Sequence, residues 1–310
     1  MIPKTTAVVG AGTMGPGIAA TLSRCGSVVR LNDVSAEVLE RSKAATELAS
    51  NLLERVEAPS APGGSVTFEQ DLEAAVRGAD LVIEAVPEKL DLKREVFAKF
   101  EEYSSPDTIL ATNTSGIPIS DIAVNLTNPE RVIGMHWSNP PHLIPMIEVI
   151  PGDKTSEKVR ERLVGIIRAF GFEPVVEREV PGFVENRILY AILRECVSLV
   201  ERGVVSQADM DTVVKWGIGY KLAVIGPMRL LDMAGLDIYQ SVASYLNQDL
   251  SNEEGVSPLI TDRTEKGQLG MKSLGGMYQY ADQDDVNAHR ARIAAGLVAV
   301  RKTLSSLSGS

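Results

Sequence analysis

The sequence has few of the features that mark several common classes of protein. Its 310 residues include two cysteines, Cys25 and Cys196, which lie far apart and are expected to be buried thiols, not a disulfide or a metal site. No apolar run reaches the roughly 18 residues of a membrane-spanning helix, and the N-terminus has no secretion-signal pattern. Acidic residues outnumber lysine and arginine by 41 to 31, which argues against nucleic-acid and anionic-membrane partners. The expected protein is cytoplasmic.

The first 180 residues alternate between two kinds of segment, and 44% of the whole chain is hydrophobic. Polar, helix-forming stretches separate short β-branched runs at 6–10, 27–33, 81–86, 108–112, 131–136 and 174–179. Such alternation predicts an α/β fold in which a doubly wound, parallel sheet of the Rossmann type carries helices on both faces.

After about residue 180 the strand pattern stops and apolar residues recur at helical spacing. Gly203 is a predicted helix stop, Ser206 begins the next helix, and a further helix begins near Pro227 and continues to Leu246. The chain therefore divides into a cofactor-binding domain at 1–180 and an all-helical substrate domain at 181–310. So apolar a helical domain predicts a homodimer.

Glycines after the first predicted strand have the pattern of a dinucleotide-binding loop. Gly10, Gly12 and Gly15 show G-x-G-x-x-G spacing between a strand and a helix, with Thr13 and Met14 completing the loop. The first glycine would allow a tight turn, the second would let a pyrophosphate approach, and the third would let helix and strand pack closely. Free N–H groups at the helix N-terminus would face the phosphates.

Asp33 ends the second predicted strand. A carboxylate there accepts hydrogen bonds from the adenosine ribose and repels a 2′-phosphate, so NAD is the predicted cofactor. The alternative is that Asp33 is a turn or helix-cap residue before Ser35.

His136 is the candidate proton carrier among three histidines. It ends a predicted strand at the carboxyl edge of the sheet, where open α/β folds place ligands, whereas His142 lies in a proline-rich loop and His289 in a charged helix. A dehydrogenase needs a base for the hydroxyl proton, and imidazole suits that task at neutral pH. Glu148, in the apolar strand "MIEVI", would be costly to bury alone but could hold the His136 ring. The alternative is a solvent-facing Glu148 on an edge strand.

Four motifs resemble those of the L-3-hydroxyacyl-CoA dehydrogenase superfamily: "GAGTMGPG", "TNTSGIPI", "GMHWSNPPHLIPMIEV" and "PGFVENRIL". The resemblance covers nearly the whole chain and implies an NAD-dependent dehydrogenase. His136 would exchange the proton, Glu148 would orient its ring, and Ser115 and Asn186 would hydrogen-bond the reacting oxygen.

The same resemblance implies further contacts. Asn113 and Asn139 would lie beside nicotinamide and substrate, and Glu88 and Lys93 would touch the nicotinamide-side ribose. Without the resemblance, Glu88 and Lys93 would be interpreted as charges at a helix start and on a solvated face.

The chain departs from the acyl-CoA members after Lys43, where its charges have an acidic balance that suits the phosphates of CoA poorly. Ser138 also makes the wall after the histidine more polar. The stretches "GYKLAVIGPMRLLD" and "HWSNPPH" resemble the branch that does not use CoA, so we expect a small hydroxy acid or an aromatic carboxylate bearing an alcohol or aldehyde.

A substrate carboxylate would need a cation, for which Arg187, Lys221 and Arg229 are unranked candidates. The alternatives are an L-3-hydroxyacyl-CoA dehydrogenase and a catalytically silent dinucleotide-binding protein.

Overall fold

The computed structural model describes residues 2–308. Its N-terminal part is built on an eight-stranded sheet with the strand order β3-β2-β1-β4-β5-β6-β7-β8. The strands are β1 (Thr5–Val9), β2 (Val28–Asn32), β3 (Ser65–Glu69), β4 (Leu81–Glu84), β5 (Ile109–Thr112), β6 (Val132–Trp137), β7 (Met146–Pro151) and β8 (Glu173–Val176).

Helices connect the strands, as the alternating pattern predicts. They are α1 (Gly15–Arg24), α2 (Ala36–Arg55), α3 (Leu72–Val76), α4 (Leu90–Tyr103), α5 (Ile119–Ala123) and α6 (Glu157–Ala169), with a 3-10 turn at Pro129–Arg131. Buried apolar side chains form two core clusters, and each sheet residue of the core belongs to only one of them. One cluster contains Trp137, which stacks on Phe170.

The sheet is parallel except in one place. β6 pairs antiparallel with β7, and β7 pairs parallel with β8, so the last two strands oppose the rest. The predicted parallel sheet is therefore confirmed for β1 to β6, and β7 and β8 depart from it. A parallel crossover takes a dozen or more residues, and the connection at 138–145 is too short for one.

The edge strand β3 was not predicted. Its sequence, "SVTFE", is half polar and none of its residues is buried, so it lacks the apolar run by which the other strands are found. It is held by parallel pairing with β2.

The rest of the described chain is helical, as predicted. Its helices are α7 (Phe183–Glu201), α8 (Gln207–Thr212), α9 (Tyr220–Ile225), α10 (Pro227–Ala234), α11 (Leu236–Leu246), α12 (Pro258–Glu265) and α13 (Gln283–Ser308), with a π-helical segment at Val213–Gly219 and a 3-10 turn at Met271–Ser273. By internal contacts the chain forms two compact units, one of residues 1–186 and 297–302 and the other of residues 187–296 and 303–310.

Three local predictions in the helical part can be compared with the structure. Gly203 follows α7 with φ +69°, and the Ser206 side chain accepts a hydrogen bond from the Asp209 N–H, so the stop and the new start are confirmed. The single helix predicted from Pro227 to Leu246 is wrong, because Gly235 at φ +99° separates α10 from α11.

Of the two free thiols, Cys25 is buried as expected, whereas Cys196 is only half-buried. Among the helices of residues 2–308, none combines the length and the hydropathy required to cross a bilayer.

Candidate active site

The glycine loop leaves no room for side chains at two of its three glycines. A Cβ on Gly10, which has φ +107°, would stand 2.4 Å from the carbonyl oxygen of Ala85, and one on Gly15 would stand 2.1 Å from that of Gly10. At Gly12 no atom lies within 4 Å of the Cβ position, so the backbone there is open to an approaching group. This is the arrangement that a dinucleotide pyrophosphate requires.

The loop leads directly into the N-terminus of α1. Thr13 is exposed, Met14 occupies the N-cap without a side-chain hydrogen bond, and Pro16 stands in the first turn. The N-terminal N–H groups of α1 are therefore not taken by a capping side chain and suit a phosphate.

Asp33 is held at the end of β2 by two backbone groups. Its Oδ2 accepts from the Ala11 N–H at 3.0 Å and its Oδ1 accepts from the Ser35 N–H at 3.0 Å. The turn role and the ribose role are compatible, because each carboxylate oxygen keeps a lone pair. The neighbouring Asn32 is buried and donates to the Glu69 carbonyl.

A buried ion-pair group lies where β4 ends and α4 begins. We call Glu84, Glu88 and Lys93 the Lys93 cluster. The Lys93 Nζ stands 2.7 Å from Glu84 Oε1 and 3.1 Å from Glu88 Oε2, and its side chain is 1% exposed. The interpretation of Lys93 as a residue of a solvated face is therefore wrong.

Glu84 is the most enclosed member of the Lys93 cluster. Burial raises the pKa of its carboxyl, and the Lys93 ammonium, the Thr112 hydroxyl at 2.6 Å and the Val86 N–H at 2.8 Å oppose that shift. For Glu88, burial also acts to raise the pKa, but hydrogen bonds from Thr114 and Ser115 and the charge of Lys93 outweigh it and the pKa is lowered.

Glu88 joins the Lys93 cluster to the segment after β5. Its Oε1 accepts from the Thr114 hydroxyl at 2.5 Å and from the Ser115 N–H at 2.9 Å. The Asn186 Nδ2 in turn donates to the Ser115 carbonyl at 3.0 Å. The structure thus brings Ser115, Asn186, Glu88 and Lys93 into one chain of contacts.

His136 and Glu148 face each other across the antiparallel pair of β6 and β7. They are direct partners in the register, and Nδ1 of the ring stands 2.7 Å from Glu148 Oε2. Both side chains are buried, at 8% and 2% exposure. The alternative of a solvent-facing Glu148 on an edge strand is wrong, because β8 covers the outer side of β7.

The other oxygen of Glu148 is held by the start of α7. Glu148 Oε1 accepts from the N–H groups of Val184 at 3.1 Å and Glu185 at 2.7 Å. Burial acts to raise the pKa of Glu148, but the hydrogen bonds from His136 and Glu185 outweigh it and the pKa is lowered. Glu148 therefore stays ionised at neutral pH, with its charge beside the ring and a helix N-terminus.

Two more carboxyls lie close to this pair. Glu185 Oε1 accepts from the Ser138 hydroxyl at 2.5 Å, and one Glu185 oxygen lies within 4.8 Å of a His136 ring nitrogen. Glu177, just after β8, shares the Val184 N–H with Glu148, at 3.2 Å. We call His136, Glu148 and Glu177 the His136 cluster.

The remaining predicted residues occupy different positions around these clusters. The Asn113 Oδ1 accepts from the Trp137 N–H at 2.8 Å, while Asn139 is exposed in the turn after β6. His142 is half-buried, and burial followed by the charge of Arg301 lowers its pKa to about 4. The candidate cations Arg187, Lys221 and Arg229 stand on α7, α9 and α10, in the second unit.

Three acidic residues of the site were not predicted. Glu84 could have been found by the argument used for Glu148, since it too is an acid inside an apolar run, "LVIEAV". Glu177 and Glu185 stand in mixed polar segments, and only the strand register and the position of α7 bring them near His136.

Comparison with known proteins identifies the family of this chain. The family "3-hydroxyacyl-CoA dehydrogenase, NAD binding domain" matches residues 5–180, and "3-hydroxyacyl-CoA dehydrogenase, C-terminal domain" matches residues 182–280. The 5-formyl-3-hydroxy-2-methylpyridine 4-carboxylate 5-dehydrogenase of Mesorhizobium japonicum is 50% identical over 97% of this chain and 98% of its own. Human mitochondrial hydroxyacyl-coenzyme A dehydrogenase is 34% identical over 90% of this chain and 92% of its own.

A solved structure extends the similarity. The crystal structure of a 5-formyl-3-hydroxy-2-methylpyridine 4-carboxylic acid 5-dehydrogenase, described as an NAD⁺-dependent dismutase, has a TM-score of 0.95 at 49% identity, covering 98% of this chain and 99% of the other. The fold and its relatives define an NAD-dependent dehydrogenase that acts on hydroxyl or aldehyde groups. The chain belongs to the 3-hydroxyacyl-CoA dehydrogenase family.

Proposed function

We propose that this enzyme oxidises, with NAD, an aldehyde or alcohol group on a pyridine carboxylate or a similar small aromatic acid. The observation that carries this proposal is the 50% identity, over nearly the full length of both chains, to an enzyme named for such a substrate. The polar Ser138–Glu185 pair beside His136 supports it, because a fatty acyl chain gains nothing from a half-buried carboxylate.

In the proposed reaction His136 moves the proton. Glu148 is hydrogen-bonded to Nδ1 of His136. The other ring nitrogen, Nε2, is therefore the one that would accept the proton of a hydroxyl or of a hydrated aldehyde. The imidazolium that results stands beside the ionised Glu148 and is stabilised by it. NAD, when bound, would supply the acceptor for a hydride from the carbon that carries this oxygen.

Ser115 and Asn186 would hydrogen-bond the reacting oxygen. One N–H of the Asn186 amide already donates to the Ser115 carbonyl, so the other N–H and the Ser115 hydroxyl are the groups proposed for substrate. Donors fixed in this way favour the charge that develops on oxygen during hydride transfer. Asn139, exposed after β6, would line the substrate side.

The cofactor would lie along the loop and strand ends already described. Gly10, Gly12, Thr13, Met14 and Gly15 would hold the pyrophosphate and Asp33 the adenosine ribose. Glu88, with a side chain 45% exposed, would reach the ribose on the nicotinamide side. Lys93 would position Glu88 through their ion pair. Asn113 would stand beside the nicotinamide.

The relative described as a dismutase suggests a second feature. One aldehyde, as its hydrate, would be oxidised to the acid, and a second would be reduced to the alcohol by the NADH formed. Two aldehydes and one water would give one acid and one alcohol with no net use of NAD. We expect catalytic NAD to yield the two products in a 1:1 ratio.

A substrate panel tests the proposal. Initial rates of substrate consumption in the presence of NAD⁺ would be compared for 5-formyl-3-hydroxy-2-methylpyridine 4-carboxylate, free 3-hydroxy acids and L-3-hydroxybutyryl-CoA. We expect the kcat/KM for the pyridine aldehyde to be the highest. A higher value for the acyl-CoA would replace the proposal with the acyl-CoA dehydrogenase alternative, and no turnover of any compound would favour the catalytically silent one.

A histidine variant tests the proton carrier. His136→Gln should keep NADH affinity, measured by fluorescence, and lose turnover by about 10²- to 10⁴-fold. His289→Gln, on helix α13 in the second unit, is the matched control and should change neither. If NADH binding disappeared with turnover in His136→Gln, His136 would be a structural residue.

We further propose that residues 1–180 bind the cofactor and that residues 181–310 bind substrate and form a homodimer. The segment from Val213 to Leu246 has no buried residue, although Trp216, Tyr220 and Met228 are apolar and 63–70% exposed. A second copy would cover such a surface. Light scattering should give twice 33.3 kDa, and the mass of a monomer would contradict this.

The free thiols of Cys25 and Cys196 suit the reducing cytoplasm, which is the compartment we propose. Protein made in its native host and fractionated should be found with cytoplasmic markers, and recovery in the periplasm would contradict this.

A further inference from the structure

Glu177 is a titratable residue beside the proposed proton carrier for which the reaction described above has no use. Its N–H donates to the Val149 carbonyl at 3.1 Å and so extends the pairing of β7 with β8. Glu148 is the register partner of Val175, two residues before Glu177, so both carboxyl side chains lie on one face of the sheet. His136 stands on that face as the partner of Glu148 across β6 and β7.

The carboxyls of Glu148 and Glu177 both lie at the start of α7. They also share one backbone donor, because the Val184 N–H lies 3.1 Å from Glu148 Oε1 and 3.2 Å from Glu177 Oε1. The second oxygen of Glu177 is buried and has no hydrogen-bond partner. An ionised Glu177 would therefore place an unpaired charge against another carboxylate.

We propose that Glu177 is a positioning residue of the proton-transfer site: its neutral carboxyl donates a hydrogen bond to Glu148 and keeps the carboxylate side of the His136 cluster at a single negative charge. That charge balances the imidazolium formed when the substrate hydroxyl loses its proton. The inference rests on the proposed role of His136, and it adds a third titrating group to that pair.

The surroundings of Glu177 agree with a retained proton. Burial, followed by the charge of Glu148, raises the pKa of Glu177 to about 7, while the Val184 N–H and His136 act in the opposite direction. The charged and titratable groups that face it are Glu148 on β7 and His136 on β6, with Glu185 beside Glu148 at the start of α7. Within its own segment, Glu179 is directed at the Ser120 N–H.

The proton on Glu177 affects the pH range of oxidation. When Glu177 ionises, a second negative charge favours the protonated ring of His136, so the free base needed for oxidation forms only at higher pH. Glu177→Gln keeps a donor for Glu148 and can never ionise. We expect the acid limb of kcat/KM for oxidation to move about one pH unit lower in this variant.

The first experiment observes the carboxyl directly and needs no substrate. In the full-length enzyme with NAD⁺, labelled with ¹³C at the glutamate carboxyls, one signal should titrate with a midpoint near 7. It should be missing in Glu177→Gln and should titrate at lower pH in Glu148→Gln, because the neighbouring negative charge is gone. Glu173→Gln, an exposed carboxyl on the same strand β8, is the matched control and should leave the signal unchanged.

The inference is overturned if no glutamate signal titrates above about pH 5.5, or if the signal survives in Glu177→Gln. It is also overturned if Glu148→Gln leaves the midpoint where it was, because Glu177 would then be a buried acid without coupling to the pair.

The second experiment measures oxidation of 5-formyl-3-hydroxy-2-methylpyridine 4-carboxylate against pH. Glu177→Gln should show the shifted acid limb with kcat at its plateau within about threefold of the wild type. Glu177→Ala, which has no donor, should lose about tenfold in kcat at the same thermal stability. An unshifted limb in Glu177→Gln contradicts the inference, and so does an equal loss in both variants.

Failure of this inference can be told apart from failure of the proposed function. If turnover persists in His136→Gln, His136 is not the proton carrier and the proposed function fails at that point. Loss of turnover in His136→Gln together with an unshifted limb in Glu177→Gln removes only the role of Glu177.

Discussion

The first unit of this enzyme contains two charged clusters, one at the end of β4 and one on β6 and β7, and they differ in how their charges balance. In the Lys93 cluster one ammonium stands between two carboxylates, and Glu84 is further held by the Thr112 hydroxyl and the Val86 N–H. In the His136 cluster two carboxyls face one imidazole and share a backbone N–H.

The difference separates a fixed ion pair from a movable proton. In the Lys93 cluster the ammonium is held between two carboxylates, and the cluster serves to hold Glu88 and the loop around Ser115. In the His136 cluster the pKa of Glu177 is raised to about 7, so this cluster changes its protonation state within the pH range of turnover. We expect the first cluster to matter for stability and the second for turnover.

The largest effect is expected for Lys93→Met. It leaves Glu84 buried without its cation, which costs about 3–5 kcal/mol in the free energy of unfolding measured by urea titration. Lys99→Met, exposed on the same helix α4, is the control and should change this energy by less than about 0.5 kcal/mol. Adding Glu84→Gln to Lys93→Met should recover part of the loss, because the orphaned charge is removed as well. Equal stability of the two lysine variants would show that the buried pair contributes nothing.

The next effect is expected for Glu148→Gln. The amide keeps the size and an acceptor for the ring but cannot stabilise an imidazolium, so kcat for oxidation should fall about 10²-fold. Glu148→Gln should lower the free energy of unfolding less than Lys93→Met does. It should lower turnover more than Lys93→Met does. Glu84→Gln is the partner variant, and we expect it to lose stability while the pH dependence of turnover stays as in the wild type. Full activity of Glu148→Gln would remove the distinction between the clusters.

A large part of this arrangement can be predicted from the sequence, because a buried polar residue is recognisable by the apolar residues next to it in the chain. An acid inside an apolar strand, such as Glu148, signals a buried partner, and the glycines around Gly12 signal a backbone that must come close to something else. The direct opposition of His136 and Glu148 also follows from their short separation, once β6 and β7 are known to be antiparallel.

Contacts between residues that are far apart in the sequence cannot be predicted in this way. The Glu148 oxygen that faces α7 and the N–H shared with Glu177 depend on where a helix begins relative to three strands. The strand β3 is absent from the sequence prediction for a related reason, since its half-polar residues acquire their conformation from pairing with β2.

The smallest expected effect is on the pH dependence of the free energy of unfolding, and it concerns the His136 cluster. The pKa of Glu177 is about 7 in the folded enzyme against an ordinary 4.5, so the folded state binds more protons than the unfolded state between these values. The free energy of unfolding therefore falls as pH rises through this window, and the stabilisation is fully present only below about 4.5. Glu177→Gln lacks this linkage and should lose less thermal stability than the wild type between pH 6 and 8, a difference of about 1 kcal/mol after allowance for solvent screening. Glu173→Gln should follow the wild type, and a wild-type slope in Glu177→Gln would place the proton on another group.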